Sequence, residues 1–179
     1  MRLAGVALLV TMATLPAQAQ QKGAHVGRQA LRFELERLES GRIDLEGLRG
    51  RPVIINFWAS WCAPCRVEMP YLISAWREHS DQGLQVLAVN LTDQERRKDV
   101  ARFVSELEMP FPVLLDTRGK VRELYDLTSL PTTVFLDSAG VVRSVQSGPL
   151  TRSALVAGLE AILPRRGPVP PSSGAGEGP

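Results

Sequence analysis

Val53-Ile54-Ile55-Asn56-Phe57-Trp58-Ala59 leads through Ser60 and Trp61 into Cys62-Ala63-Pro64-Cys65. The first seven residues are a nearly continuous apolar, β-branched run, which predicts a central strand buried on both faces. Beyond the cysteines, Val67, Tyr71, Leu72, Ala75 and Trp76 recur at helical spacing. They predict the inward stripe of a helix, which Pro70 should kink. The cysteine pair therefore stands at a strand-to-helix junction. Its two-residue spacing lets both sulfurs meet at a helix N-terminus, with Cys62 at the entrance facing solvent and Cys65 one turn in and more buried. The helix dipole and the unpaired N–H groups favour a thiolate at that entrance.

Lowering a thiol pKa from about 8.5 to about 7 raises its thiolate fraction at neutral pH roughly 16-fold. Intrinsic nucleophilicity falls roughly 4- to 6-fold over the same shift, so the net gain in attack is only about 3-fold. The larger consequence is that Cys62 becomes a good leaving group, which speeds resolution of a mixed disulfide and biases the couple towards the dithiol. A lone C-x-x-C can also be half a metal site or a structural disulfide. The strand-then-helix context favours redox chemistry. The chain has only two cysteines, too few for a four-cysteine zinc site, and its two histidines are His25 and His79.

Outward from this junction, strands and helices alternate. Phe33, Leu35 and Leu38, then Ile43 and Leu45, flank Glu39-Ser40-Gly41 and predict a hairpin or two short extended pieces. Residues 84–91 read as a second apolar strand. Thr92 with Glu95 forms a capping-box pattern, and Val100, Phe103, Val104 and Leu107 give the following helix its apolar face. A short strand at 112–115, a short helix at 120–125, a hairpin of strands 132–136 and 141–145, and a last helix capped by Thr151 complete the pattern. The fold class is α/β with a mixed sheet.

The ends read differently. Residues 1–19 carry Arg2, a 13-residue apolar stretch, Pro16 and the small-residue site Ala17-Gln18-Ala19. These are the parts of an export signal, and the apolar stretch is short against the roughly 20 residues that cross a bilayer. An uncleaved N-terminal anchor is the alternative. Export implies a periplasmic, oxidising location. Residues 20–30 are polar and read as loose. The one domain spans 20–164, and in 165–179 Gly, Pro and Ser dominate without apolar periodicity, which predicts a disordered tail. With 21 Lys+Arg against 19 Asp+Glu in 179 residues, nothing in the charge points to nucleic acid or an anionic membrane as partner. A monomer is expected.

The run from Asn56 to Cys65, together with Leu130-Pro131-Thr132-Thr133, resembles the active site of thioredoxin-fold proteins. The order of elements between the two motifs resembles the TlpA/ResA-like branch of exported thiol–disulfide oxidoreductases. That branch adds a strand and helix to the core, matching roughly residues 84–110 here. The resemblance covers about residues 31–164. It implies a thioredoxin-like fold in which Cys62 is the attacking cysteine and Cys65 the resolving one, separated by Ala63 and Pro64. Pro131 matches the cis-proline facing the disulfide, Leu130 and Thr132 offer backbone groups to an extended substrate strand, and Trp61 shields one side of the sulfurs. Glu68 matches an acidic residue near the cysteine pair. Asn56 stands where thioredoxin has a buried aspartate. Since Asn cannot titrate, Glu68 is the candidate for proton transfer. The plainer readings are a solvated helix residue for Glu68 and a hydrogen-bonded core residue for Asn56.

The implied activity is reduction of protein disulfides in the envelope, such as apocytochrome c or copper-site thiols. Electrons would come from a membrane thiol-transfer reductant, with no organic cofactor and no metal. A peroxidase on this fold would need a Thr-x-x-Cys loop that Ser60-Trp61-Cys62 does not supply. A Cu(I) carrier would add a distant His, and no His follows His79. An exported oxidase of the fold would carry a His between its cysteines, where this chain has Ala63 and Pro64.

Overall fold

The computed structural model describes residues 22–164. The export signal assigned to 1–19 and the tail assigned to 165–179 lie outside the described residues. In chain order the strands are β1 (Glu34–Arg37), β2 (Arg42–Asp44), β3 (Val53–Trp58), β4 (Gln85–Asn90), β5 (Val113–Leu115), β6 (Thr132–Leu136) and β7 (Val142–Ser147). The helices are α1 (Ala63–His79), α2 (Arg97–Glu106), α3 (Lys120–Leu124) and α4 (Arg152–Ile162). The seven strands form one sheet in the order β2-β1-β5-β4-β3-β6-β7. The pairs β3–β4 and β4–β5 are parallel, and β3–β6, β6–β7, β1–β5 and β1–β2 are antiparallel.

Every residue of β3 is buried, as its unbroken apolar run predicts for a strand covered on both faces. Ile54 and Trp58 pack under α1, α2 and α4, with Met69, Leu72, Phe103 and Leu159. Val53, Ile55 and Phe57 point to the other layer, where Phe33, Leu45, Val121 and Tyr125 close the core. The segment 84–110 forms β4 and α2. β4 lies beside β3 along its whole length, and β5 extends the sheet beyond it.

Three local expectations are corrected. The inward stripe of α1 consists of Cys65, Glu68, Met69, Leu72, Ile73 and Ala75, whereas Val67 and Tyr71 are exposed. Counting only apolar residues misplaces the face because a carboxylate stands in the middle of the buried one. Pro70 lies within α1, which continues to His79. The capping box does not form: α2 begins at Arg97 with no side-chain cap, and Glu95 is extended at φ −154°, ψ 168°. The Thr92 hydroxyl donates to Asn90 Oδ1 at 2.8 Å instead, and the Glu95 carboxylate turns to Ser60 and Asn90. Residues 22–30 are not loose. The N–H groups of Gly23, Gly27 and Ala30 donate to the carbonyls of Leu124, Val142 and Gly140 at 2.8–3.0 Å. No helix among the described residues is long and apolar enough to cross a membrane.

Candidate active site

β3 ends at Trp58, and the chain turns within four residues into α1. The turn is closed by two backbone bonds: Cys62 N–H donates to Ala59 O at 3.2 Å, and Leu91 N–H donates to Trp58 O at 3.1 Å. Cys62 is the N-cap of α1, with extended backbone, and its Sγ accepts the Cys65 N–H at 3.2 Å. A sulfur in that position satisfies an N–H that the helix cannot pair internally. Pro64 occupies the first turn, where a missing N–H costs nothing.

Cys62 and Cys65 are joined as a disulfide with Cα atoms 5.3 Å apart. Cys65 is fully buried, and Cys62 is only 5% exposed, so the entrance sulfur is far less open than its position at the helix start suggests. The difference still makes Cys62 the reachable atom. It borders an open cleft shared with Trp61, Pro64, Leu91, Leu127 and Leu130, with Gln94 and Arg122 also in its walls. Trp61 is 58% exposed.

Across the cleft, the Leu130–Pro131 peptide is cis. Leu130 is half-buried and lines the cleft. Thr132 is buried in β6 between β3 and β7, and its hydroxyl donates to Ser129 O at 2.9 Å. Pro131 O accepts Gly148 N–H at 2.8 Å. Of these three residues, Leu130 alone borders the cleft, and Thr132 braces the loop from beneath.

Behind the disulfide lies a buried carboxyl group. Glu68 follows Cys65 by three residues on the buried face of α1 and is 1% exposed, which removes the reading of a solvated helix residue. Its Oε1 accepts from Asn56 Nδ2 at 2.6 Å and its Oε2 from the Leu150 N–H at 2.6 Å. Burial raises the Glu68 pKa above the ordinary carboxyl value, against the opposing pull of the Leu150 and Asn56 hydrogen bonds. Asn56 faces Thr133 across the β3–β6 pair and also donates to Thr133 Oγ1 at 3.0 Å. Its own Oδ1 is buried without a partner among the described residues.

Sequence reasoning missed Ser60 and Glu95 at this site. Glu95 Oε1 accepts from Ser60 N–H at 2.8 Å and from Asn90 Nδ2 at 2.7 Å, and Oε2 accepts from the Ser60 hydroxyl. The only sequence signal for Glu95 was its spacing from Thr92, which pointed to a helix cap.

A helix-capping dithiol on a mixed sheet, faced by a cis-proline loop, defines a thioredoxin-fold redox protein. The sequence profile described as the AhpC/TSA family matches residues 26–145, and the chain belongs to that family. It is 35% identical over 145 residues to the thiol-disulfide oxidoreductase ResA of Oceanobacillus iheyensis, covering 79% of this chain and 74% of that protein. Among solved structures, it resembles a putative thiol:disulfide interchange protein DsbE from Chlorobium tepidum. That match has a TM-score of 0.69 and 30% identity, over 80% of this chain and 98% of that one. It also resembles StoA from Bacillus subtilis, with a TM-score of 0.62 and 28% identity over 72% and 96% of the two chains. The protein is a thiol–disulfide oxidoreductase, and the Cys62–Cys65 pair is the dithiol available for that chemistry.

Proposed function

We propose that the enzyme is exported and reduces disulfides of envelope proteins, with apocytochrome c haem-binding cysteines or copper-site thiols as substrates. A membrane thiol-transfer protein returns its electrons. The Cys62 thiolate attacks one sulfur of the substrate disulfide, forming a mixed disulfide and releasing the other sulfur as a thiolate that takes up a proton. Cys65 then gives up its proton and attacks the Cys62 sulfur. The second substrate thiolate leaves, and two electrons have passed from the dithiol to the substrate. Glu68 receives the Cys65 proton, a task suited to a carboxyl whose pKa is raised above the ordinary carboxyl value by burial. Trp61 and Leu130 hold the substrate strand over Cys62, with Pro131 and Thr132 fixing the loop that carries Leu130.

The observation that carries this reading is the asymmetry of the two sulfurs: one on the cleft and capping the helix, the other fully buried. The export signal read at residues 1–19 supports the location, and resemblance to the TlpA/ResA-like branch supports the reducing direction.

The reduction potential of residues 20–179, measured by equilibration with a thiol buffer, tests the direction. A value at or below about −230 mV is expected for a reductant, and a value near about −120 mV would make the protein an oxidant. Cys62→Ser is expected to abolish turnover with a disulfide substrate. Full activity in that variant would overturn the mechanism.

A further inference from the structure

We propose that Glu95 is a positioning residue for the redox centre: its carboxylate clamps the Ser60-Trp61-Cys62 turn to the end of β4 and so sets where the Cys62 sulfur stands. The inference rests on Cys62 being the attacking sulfur.

The clamp is built from three directed donors. Ser60 gives both its N–H and its hydroxyl, and Asn90, fully buried at the last position of β4, gives its amide. Asn90 is itself held, its Oδ1 accepting the Thr92 hydroxyl at 2.8 Å. Glu95 thereby joins two stretches 35 residues apart in the chain. These stretches form two walls of one cleft: Leu91 and Gln94 come from the segment before Glu95, and Trp61 and Cys62 follow Ser60 directly.

Ser60 is two residues before the helix cap. Freedom at its N–H is freedom of the turn that places Cys62 Sγ on the Cys65 N–H. A thiolate displaced from that N–H loses part of its stabilisation. Glu95 neither lines the cleft nor serves as the helix cap that its spacing from Thr92 suggested, so its contribution reaches the reaction through Cys62 alone.

Three substitutions separate position from charge. Gln at 95 keeps the reach and loses the charge. Its carbonyl can accept the Ser60 and Asn90 N–H groups, and its amide can donate to the Ser60 hydroxyl. Asp keeps the charge and falls one methylene short, and Ala loses both. The reduced full-length variants are reacted with iodoacetamide across pH to read the apparent Cys62 pKa, and with oxidised glutathione to read the rate of mixed-disulfide formation.

E95A and E95D are expected to raise the apparent Cys62 pKa and to slow mixed-disulfide formation about tenfold, the scale of a small misplacement of reacting groups. E95Q is expected to restore both readouts to near wild type. Thiol pKa values lowered in both E95A and E95Q would mean that Glu95 acts by its charge, and would overturn the proposal. So would wild-type pKa and rate in a folded E95A. If E95A does not fold, E95D carries the same comparison. Cys62→Ser is run alongside. Activity surviving there overturns the assignment of Cys62, whereas its loss with E95A unaffected overturns only the role of Glu95.

Discussion

Asn56 and Glu68 share a 2.6 Å hydrogen bond inside the protein, between the middle of β3 and the first turns of α1. Both residues are essentially without solvent exposure. The bond joins the strand that leads into the dithiol to the helix that the dithiol caps. The second carboxylate oxygen is held by the Leu150 N–H, which stands just before the Thr151 cap of α4. A carboxyl in such a place has two consequences, one for the chemistry and one for stability.

Glu68→Gln removes the titrating group and keeps the volume. If Glu68 has the proposed role, the second step, release of the mixed disulfide, then loses its proton acceptor, and turnover is expected to fall about a hundredfold. The first attack by Cys62 should be little changed. Stopped-flow measurement of the two phases checks this, with the deficit confined to the slow phase. An equal loss in both phases would make Glu68 a structural residue.

The same substitution reports on stability through pH. The folded-state pKa of Glu68 is raised, so between the unfolded and folded values the native state binds more protons than the unfolded one. Its contribution is therefore fully present below the ordinary carboxyl pKa and is lost as pH rises through the folded value. Glu68→Gln should flatten that loss. Asn56 can turn its Oδ1 towards the new amide, which puts its Nδ2 where Oδ1 now lacks a partner, so the variant, like the wild type, keeps one end of the Asn56 amide unpaired. Urea unfolding of the oxidised proteins from mildly acidic to neutral pH should show the Glu68→Gln variant gaining on the wild type as pH rises. A constant difference would contradict the raised pKa.

Tyr125 tests the opposite layer. Its hydroxyl donates to Leu31 O at 2.8 Å, and its ring meets Phe57 and Phe33 at centroid distances of 5.1 and 5.9 Å. Burial holds its pKa above the ordinary phenol value, so it stays protonated as a donor across the working pH range. Tyr125→Phe keeps the ring contacts and leaves the Leu31 carbonyl unpaired, at a cost of about 1 kcal/mol. Denaturant unfolding checks the loss, and the rate of disulfide reduction should not change.

What was legible in the sequence followed short-range rules. The buried run of β3, the Cys62–Cys65 spacing, the β6–β7 hairpin and the Thr151 cap each depend on neighbours within a few residues, and each is where the pattern put it. Other places depend on partners from distant segments. The plainer reading of Glu68 as a solvated helix residue fails only once Asn56 and Leu150 are brought to it, from 12 and 82 residues away. Glu95 looks like a helix cap until Ser60 arrives from the end of the neighbouring strand β3. Residues 22–30 look loose because backbone bonds to Leu124, Val142 and Gly140 leave no mark in side-chain pattern. Hydrogen bonds between distant segments decide these places, and local periodicity does not encode them.

Gly158 sets a helix preference against a packing limit. It lies within α4, where Ala in place of Gly ordinarily stabilises by roughly 1 kcal/mol. Here a Cβ would stand 2.4 Å from the ring of Phe135, a fully buried residue in the middle of β6. Neither the sheet nor the helix can give way cheaply, and overpacking of this kind costs about 1–3 kcal/mol. The packing term should win, so Gly158→Ala is expected to lower stability by about 1 kcal/mol net. In a Phe135→Leu background the ring is gone and the same substitution should cost less or turn favourable. A double-mutant cycle in urea reads the difference directly. A Gly158→Ala protein more stable than wild type would mean that α4 can move away from β6, and the close approach of helix to sheet would then not be what selects glycine there.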